Sequence, residues 1–336
     1  MKRPLYSFIV PVFNRPQEID DLLDSMTALE FDRSYEIVIV EDGSVDDCEA
    51  VVKNYKNQLK ISYYKKKNTG PGSSRNYGMQ RAQGNYFIIL DSDCLLPPHY
   101  LKAVDHELST DFVHCFGGPD AAHESFTTIQ KAINFTMTSF WTTGGIRGNK
   151  THIGKFQPRS FNMGLSKHAF KYSGGFGRIH PGEDPDLTFR IWKKGWQTRL
   201  FTEAFVYHKR RINWQKFHQQ IKKFGMVRPI LNKWHPQTVK LTYWIPTFFS
   251  LGFVIALSCL LYGVLWPITL FGFYFISIFF AALVRTHNII VALWSIYGAC
   301  VQFFSYGYGF LKSTILINLS NKEIEAIFPK LFFKTA

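Results

Sequence analysis

The chain has 336 residues and carries 39 lysines and arginines against 25 aspartates and glutamates, a formal net charge of +14. That length supplies a real core, in one large domain or two modest ones. Five scattered cysteines (Cys48, Cys94, Cys115, Cys259, Cys300) with no C-x-x-C pair argue against a disulfide framework or zinc site and fit a reducing compartment.

Up to about residue 199, short apolar runs alternate with amphipathic stretches, the pattern of βαβ units. The expected strands are 7–13, 36–40, 61–64, 86–90 and 112–116. Between them, Ile19, Leu22, Leu23 and Met26 recur at helical spacing, and Met79 with Ala82 marks a shorter helix. The first strand is read as broken by Pro11, releasing the chain through Asn14 at the ligand edge of a sheet. The second ends in Glu41-Asp42-Gly43-Ser44, where an acid can accept from a nucleobase or ribose while Gly43 turns the chain and Ser44 or Asp46 caps a helix. Asn68 to Asn76 is a Gly-rich loop opening a helix, suited to phosphate through its N–H groups and Arg75, although it lacks the third glycine of a dinucleotide fingerprint.

The fourth strand runs directly into Asp91-Ser92-Asp93. Two carboxylates beyond the carboxyl end of a buried strand suit Mg²⁺ or Mn²⁺, which prefer carboxylate, water and phosphate oxygens; a solvated turn is the alternative. Further on, Gly174-Gly175-Phe176 precedes Gly182-Glu183-Asp184-Pro185. Asp184 before Pro185 has the arrangement of an N-cap, while two adjacent acids at a helix start can also supply a general base.

After Glu203 no acid occurs until Glu323, and from Tyr243 to Phe310 the only charged residue is Arg285. That stretch has room for spans of the roughly 20 residues a bilayer needs, which favours a membrane over nucleic acid as the partner of the basic C-terminal part. Three spans are expected, 243–263, 265–284 and 289–311, one of which can be re-entrant or interfacial because an odd count sets the Lys-bearing tail against the positive-inside tendency. Residues 214–224 place apolar side chains three or four apart among Lys216, Lys222 and Lys223, an interfacial helix or a basic solvated one. No charged segment followed by an apolar one opens the chain, so the N-terminal domain is expected in the cytoplasm.

The order of the Pro11 loop, Glu41-Asp42-Gly43, the Arg75 loop, Asp91-x-Asp93, Gly174-Gly175-Phe176, Glu183-Asp184 and Val206-Tyr207-His208 resembles glycosyltransferase family 2, inverting enzymes of the GT-A fold, over about residues 5–210. With its hydrophobic C-terminus, the chain resembles membrane-attached bacterial members that build surface polysaccharides. The resemblance implies an α/β fold: a GT-A Rossmann-like mixed sheet flanked by helices, then a C-terminal transmembrane helical region. It implies nucleotide contacts from Pro11, Asn14, Glu41, Asp42, Arg75 and Ser92, a divalent metal on Asp91 and Asp93 with His208 as a further ligand in some members, and a catalytic Glu183-Asp184 pair with Asp184 as base. Glu41 departs from the family's usual Asp. No Q-x-x-R-W follows Glu183-Asp184, which argues against a processive synthase.

The expected organisation is a catalytic domain 1–212, a basic interfacial segment 213–242, a transmembrane region 243–312 and a basic tail 313–336, with residues 136–157 as a candidate acceptor loop. The expected activity is inverting transfer from a nucleotide-sugar donor to a lipid-linked or glycan acceptor by a multi-pass protein of the cytoplasmic (inner) membrane, its catalytic domain facing the cytoplasm, with no nucleic-acid partner. The rival readings are a catalytically silent sugar-nucleotide-binding component of a membrane assembly and a nucleotidyltransferase.

Overall fold

A computed structural model describes residues 4–121, 126–144, 155–208 and 213–333. They form two units, one of residues 4–121, 155–208 and 332–333, the other of 126–144 and 213–331. In chain order the first unit begins with β1 (Tyr6–Val12), α1 (Pro16–Thr27), β2 (Glu36–Asp42), α2 (Glu49–Tyr55), β3 (Ile61–Lys66), α3 (Pro71–Arg81) and β4 (Tyr86–Leu90). It continues with β5 (Cys94–Leu95), α4 (Tyr100–Thr110), β6 (Cys115–Gly117) and β7 (Asp120–Ala121). Helices α5 (Thr128–Thr138) and α6 (Phe140–Thr143) belong to the second unit. The chain then returns to the first with β8 (Asn162–Ser166), α7 (Lys167–Ser173), α8 (Glu183–Lys193), β9 (Thr198–Leu200) and β10 (Val206–His208).

The expected Rossmann-like mixed sheet is present, in the order β3-β2-β1-β4-β8-β6-β9. Strands β1 to β4 pair in parallel, and β8 runs antiparallel between β4 and β6. Strand residues alternate between two apolar layers, as a period of two requires. Phe8, Val10, Ile37, Ile39 and Ile88 pack with Ile19, Leu22, Leu23 and Met26 of α1 and with α4. Ile9, Val38, Val40, Phe87 and Ile89 pack on the other side with Met79 and Phe176. Burial on both faces fixes the register, so the carboxyl ends of β1, β2 and β4 deliver Asn14, Glu41-Asp42 and Asp91-Asp93 to one edge. A small sheet, β5-β10-β7, follows the acidic turn.

Several local expectations are corrected. Pro11 does not break β1; it pairs with Val40 and lies beyond the last β1–β4 pair, Ile9 with Ile89, where a missing N–H is tolerated. The strand expected at 112–116 is Cys115–Gly117, because its partners β8 and β9 reach only those residues. Strand β8 has no apolar run to announce it: Asn162, Gly164 and Ser166 interrupt it, and Gly164 is needed because a Cβ there would come within 1.9 Å of the Phe116 ring. Neither Ser44 nor Asp46 caps α2, since the Asp47 carboxylate takes the Glu49 N–H instead.

The second unit contains α9 (Trp214–Trp234), α10 (Ile245–Leu260), α11 (Trp266–Thr286), α12 (Ile289–Leu319) and α13 (Ile324–Ile327). Among the described residues, three segments are long and apolar enough to cross a membrane: Leu241–Leu260, Trp266–Thr286 and Ile289–Leu319. Helix α12 thus runs past the expected end of the span into the segment read as a basic tail. Helix α9 is longer than the expected 214–224 and lies close along α12, where a Cβ on Gly225 would stand 2.3 Å from the Tyr306 carbonyl and one on Gly309 2.4 Å from that of Lys222. Residues 126–144, assigned by sequence to the 1–212 domain, pack in this unit because α5 turns Ile133 and Met137 onto the α9 residues Phe217 and Ile221. Side chains from the apolar helices also hold α6: Tyr274 Oη donates to the Trp141 carbonyl at 2.7 Å and Gln302 to that of Thr142 at 2.8 Å.

Candidate active site

Two acidic groups flank β1. At the end of β2, Glu41 is buried and accepts from the Cys48 N–H (2.9 Å), the Tyr63 hydroxyl (2.7 Å) and the Ser44 hydroxyl. Asp42 accepts from the N–H groups of Thr69 (3.0 Å) and Gly70 (2.9 Å) and pairs with Lys66. Both carboxylates are thereby engaged within the protein, and Asp42 holds the Gly-rich loop at the entrance to α3. Asn14 ties the β1 loop to the same edge: its N–H donates to Ser44 Oγ at 2.7 Å, and its Oδ1 accepts from Val45 at 2.8 Å.

The second group is built around Arg75 of α3, whose residue is 3% exposed. One terminal nitrogen donates to Asp91 Oδ1 at 2.7 Å and the other to Glu183 Oε1 at 3.3 Å, joining the β4 edge to the start of α8. Its guanidinium lies 5.2 Å from the centre of the Phe176 ring. Asn76 fixes Phe176 from both sides, accepting from its N–H at 2.8 Å and donating to its carbonyl at 2.9 Å. Gly175 must be glycine beside it, since its φ is +77° and a Cβ would fall 2.2 Å from Asn76 Oδ1.

Asp91 and Asp93 keep 35% and 15% of their side chains exposed. Arg15 stands 3.8 Å from Asp93 and also pairs with buried Glu18 at 3.0 Å, while Ser92 donates to Glu18 at 2.8 Å. Glu18 and Arg15 were missed in the sequence; their i, i+3 spacing at the start of α1 was the available signal, and it reads as ordinary helix pairing. The two aspartates offer hard carboxylate oxygens one residue apart, the donor chemistry of Mg²⁺ or Mn²⁺. No cluster of three or more potential ligands occurs among the described residues, so the rest of a coordination sphere would fall to substrate phosphate and water. The register of β10 sets the His208 backbone opposite Cys94, next to Asp93, but the His208 side chain lies outside the described residues.

Asp184 is not the N-cap. Gly182 takes that position, with φ +119°, and Glu183 and Asp184 open the helix. The reason lies in Glu183: its buried carboxylate is drawn between Arg75 and His180 Nδ1 (2.9 Å), and the helix starts two residues earlier than expected. Burial works against ionising Glu183, but the hydrogen bond and charge of His180 and the charge of Arg75 hold it below the ordinary carboxylate range. Asp184 goes the other way. Burial, then the neighbouring Glu183 charge, push it up to about 6, against the pull of Arg75, Arg159 and the Ser160 N–H. Its Oδ1 is buried and has no hydrogen-bond partner. Adjacent carboxyls are thus driven apart, one toward permanent charge and one toward a proton acceptor near neutral pH.

Of the candidate acceptor loop, residues 145–154 lie outside the described residues. Thr136 is buried on α5, and Trp141 in α6 is half exposed.

Comparison with known proteins agrees with this arrangement. Residues 7–173, about half of the chain, match Glycosyl transferase family 2. An uncharacterized glycosyltransferase of Rickettsia typhi is 36% identical over 106 residues, 32% of this chain and 31% of that protein. The poly(ribitol-phosphate) beta-N-acetylglucosaminyltransferase TarS of Staphylococcus aureus is 34% identical over 100 residues, 29% of this chain and 18% of its own length. A GalNAc(5)-diNAcBac-PP-undecaprenol beta-1,3-glucosyltransferase of Campylobacter jejuni is 32% identical over 117 residues, 34% and 38% of the two chains. The chain therefore spans well under half the length of these relatives. The mannosyltransferase PcManGT from Pyrobaculum calidifontis, solved in complex with GDP-Man and Mn²⁺, shares the fold with a TM-score of 0.57 at 16% identity, over 96% of this chain and 89% of that one.

Proposed function

Through residues 7–173 this chain belongs to glycosyl transferase family 2, and on that premise we propose that it moves a sugar from a nucleoside-diphosphate donor to a hydroxyl of a lipid-linked or polysaccharide acceptor, inverting the anomeric carbon. The observation that carries the mechanism is Asp184, with its buried, unpartnered Oδ1 and its affinity for a proton near pH 6. In a single displacement, Asp184 takes the proton of the acceptor hydroxyl as that oxygen attacks the anomeric carbon, and the nucleoside diphosphate leaves from the opposite face. Asp91 and Asp93 would hold the divalent cation, Mg²⁺ or Mn²⁺, with His208 kept as a further candidate ligand; when bound there it supplies Lewis-acid neutralisation of the departing diphosphate. Arg75 acts by holding Asp91 and Glu183. Pro11, Asn14, Ser92 and the loops held by Glu41 and Asp42 would shape the nucleotide site, with backbone groups doing much of the recognition because both carboxylates already have donors.

The apolar helices support a membrane location. Residues on both sides of them belong to the sheet-bearing unit, because Phe332 bridges to Ile179 and the Phe333 N–H donates to Arg178. The chain must therefore cross an even number of times between them. We assign the crossings to α10 and α11, and read α12, the most covered of the three, as packed on α9 and α5 and not as a crossing. We place the sheet-bearing unit at the cytoplasmic face as a catalytic domain, with α9 in the interface.

A screen of sugar nucleotides with metal and membrane lipids, reading products by mass, tests the reading. Release of nucleoside diphosphate coupled to a glycosylated acceptor is expected. Pyrophosphate release would identify a nucleotidyltransferase instead, and binding without turnover a silent component.

A further inference from the structure

On the proposed transferase reading, we infer that His180 is a positioning residue: it holds Glu183 against Arg75 and so keeps Asp184 as the one carboxylate of the pair with a buried oxygen free of donors.

The contacts are specific. His180 Nδ1 lies 2.9 Å from Glu183 Oε1, the same oxygen that Arg75 reaches at 3.3 Å. The Glu183 side chain is 6% exposed, and His180 is 42% exposed. A buried carboxylate with two side-chain donors on one oxygen has a fixed rotamer; with only the longer Arg75 bond and its own N–H left it has room to turn toward Asp184 and share a proton with it. That would silence the base without touching it. The hydrogen bond and charge of His180 outrank Arg75 among the groups that keep Glu183 ionised.

The imidazole is itself braced. Its ring centre stands 5.8 Å from that of Phe333, whose N–H bonds the Arg178 carbonyl at 3.1 Å. Phe333 also closes over Gly70, where an added Cβ would meet its ring at 2.3 Å. Between them lies a cavity of about 310 Å³, lined by Thr69, Ser73 and Asn76 as well as by His180 and Phe333, so the imidazole is supported on one side and open on the other. His180 lies outside the ordered motifs that mark the family, and nothing in the catalytic chemistry requires it to touch substrate.

The test compares wild type, His180→Ala, His180→Asn and Asp184→Asn as full chains in membranes or detergent, with kcat and donor KM measured for each. In His180→Ala, kcat is expected to fall on the order of tenfold, the scale of lost outer support, with donor KM within about twofold. In His180→Asn the side-chain amide replaces the Nδ1–H donor, and most of kcat is expected to return. An unchanged kcat in His180→Ala, a parallel loss in kcat and KM, or an Asn variant no better than Ala would overturn the inference while leaving Asp184 in place. Equal turnover by wild type and Asp184→Asn would remove Asp184 from the chemistry and this inference with it, whereas no sugar transfer by wild type would defeat the transferase reading itself.

Discussion

The acids at the end of β2 and those gathered at the end of β4 sit on either side of β1, and their surroundings differ in kind. Glu41 and Asp42 each have three donors, and every one comes from β2, β3 or the loops beside them. Their work is local, holding turns in place. Asp91, Glu183 and Asp184 are brought together over a long stretch of sequence by one buried arginine, and the group retains an oxygen without a donor. Acids at a sheet edge are therefore not equivalent. Saturated ones support loops, and under-satisfied ones are where chemistry can occur.

Substitutions can break or sharpen that contrast. Asp184→Asn removes the base with little change in shape, and transfer is expected to fall about 10²–10⁴-fold. Asp93→Ala should cost on the order of 100-fold and abolish the response to added Mg²⁺ or Mn²⁺ in a metal titration, since it removes one of two hard oxygen ligands. Glu18→Gln deprives Arg15 of its nearer counter-charge and loosens Ser92; about a tenfold loss in kcat/KM is expected, and an unchanged value would reduce Glu18 to a helix-start ion pair. Glu41→Ala should act on stability instead. It strands the Cys48 N–H and the Tyr63 hydroxyl, lowering stability by about 3 kcal/mol, read as a fall in Tm, while any protein that remains folded keeps most of its turnover.

The pH dependence follows from the same contrast. Asp184 acts as a base only when ionised, and burial beside Glu183 places that change near 6. The rate should be steady above neutrality and decline as pH falls through about 6, a limb absent from the residual rate of Asp184→Asn.

Much of this edge was legible in the sequence, because buried parallel strands read as apolar runs and the acids that end them stand out. Asp91-Ser92-Asp93 and Glu183-Asp184 could be placed before any contact was known. Arg75 was legible as a residue but not as a bridge, since its partners are distant in the chain. Glu18 and His180 were hidden differently: each faces a partner three residues away, Arg15 and Glu183, a spacing that reads as ordinary local pairing. Strand β8 was missed because Asn162, Gly164 and Ser166 serve neighbours rather than periodicity: Asn162 bonds Tyr100 and the Ala204 carbonyl, and Gly164 makes room for Phe116. The place of residues 126–144 was equally hidden, as an amphipathic helix does not say which apolar surface it covers.

The most direct test of the account measures donor affinity and sugar transfer on the same preparation of Asp184→Asn. A donor Kd within about twofold of wild type is expected alongside a transfer rate lower by about 100-fold or more. Loss of both together would return Asp184 to a structural role at the start of α8, and full transfer would remove it from the chemistry.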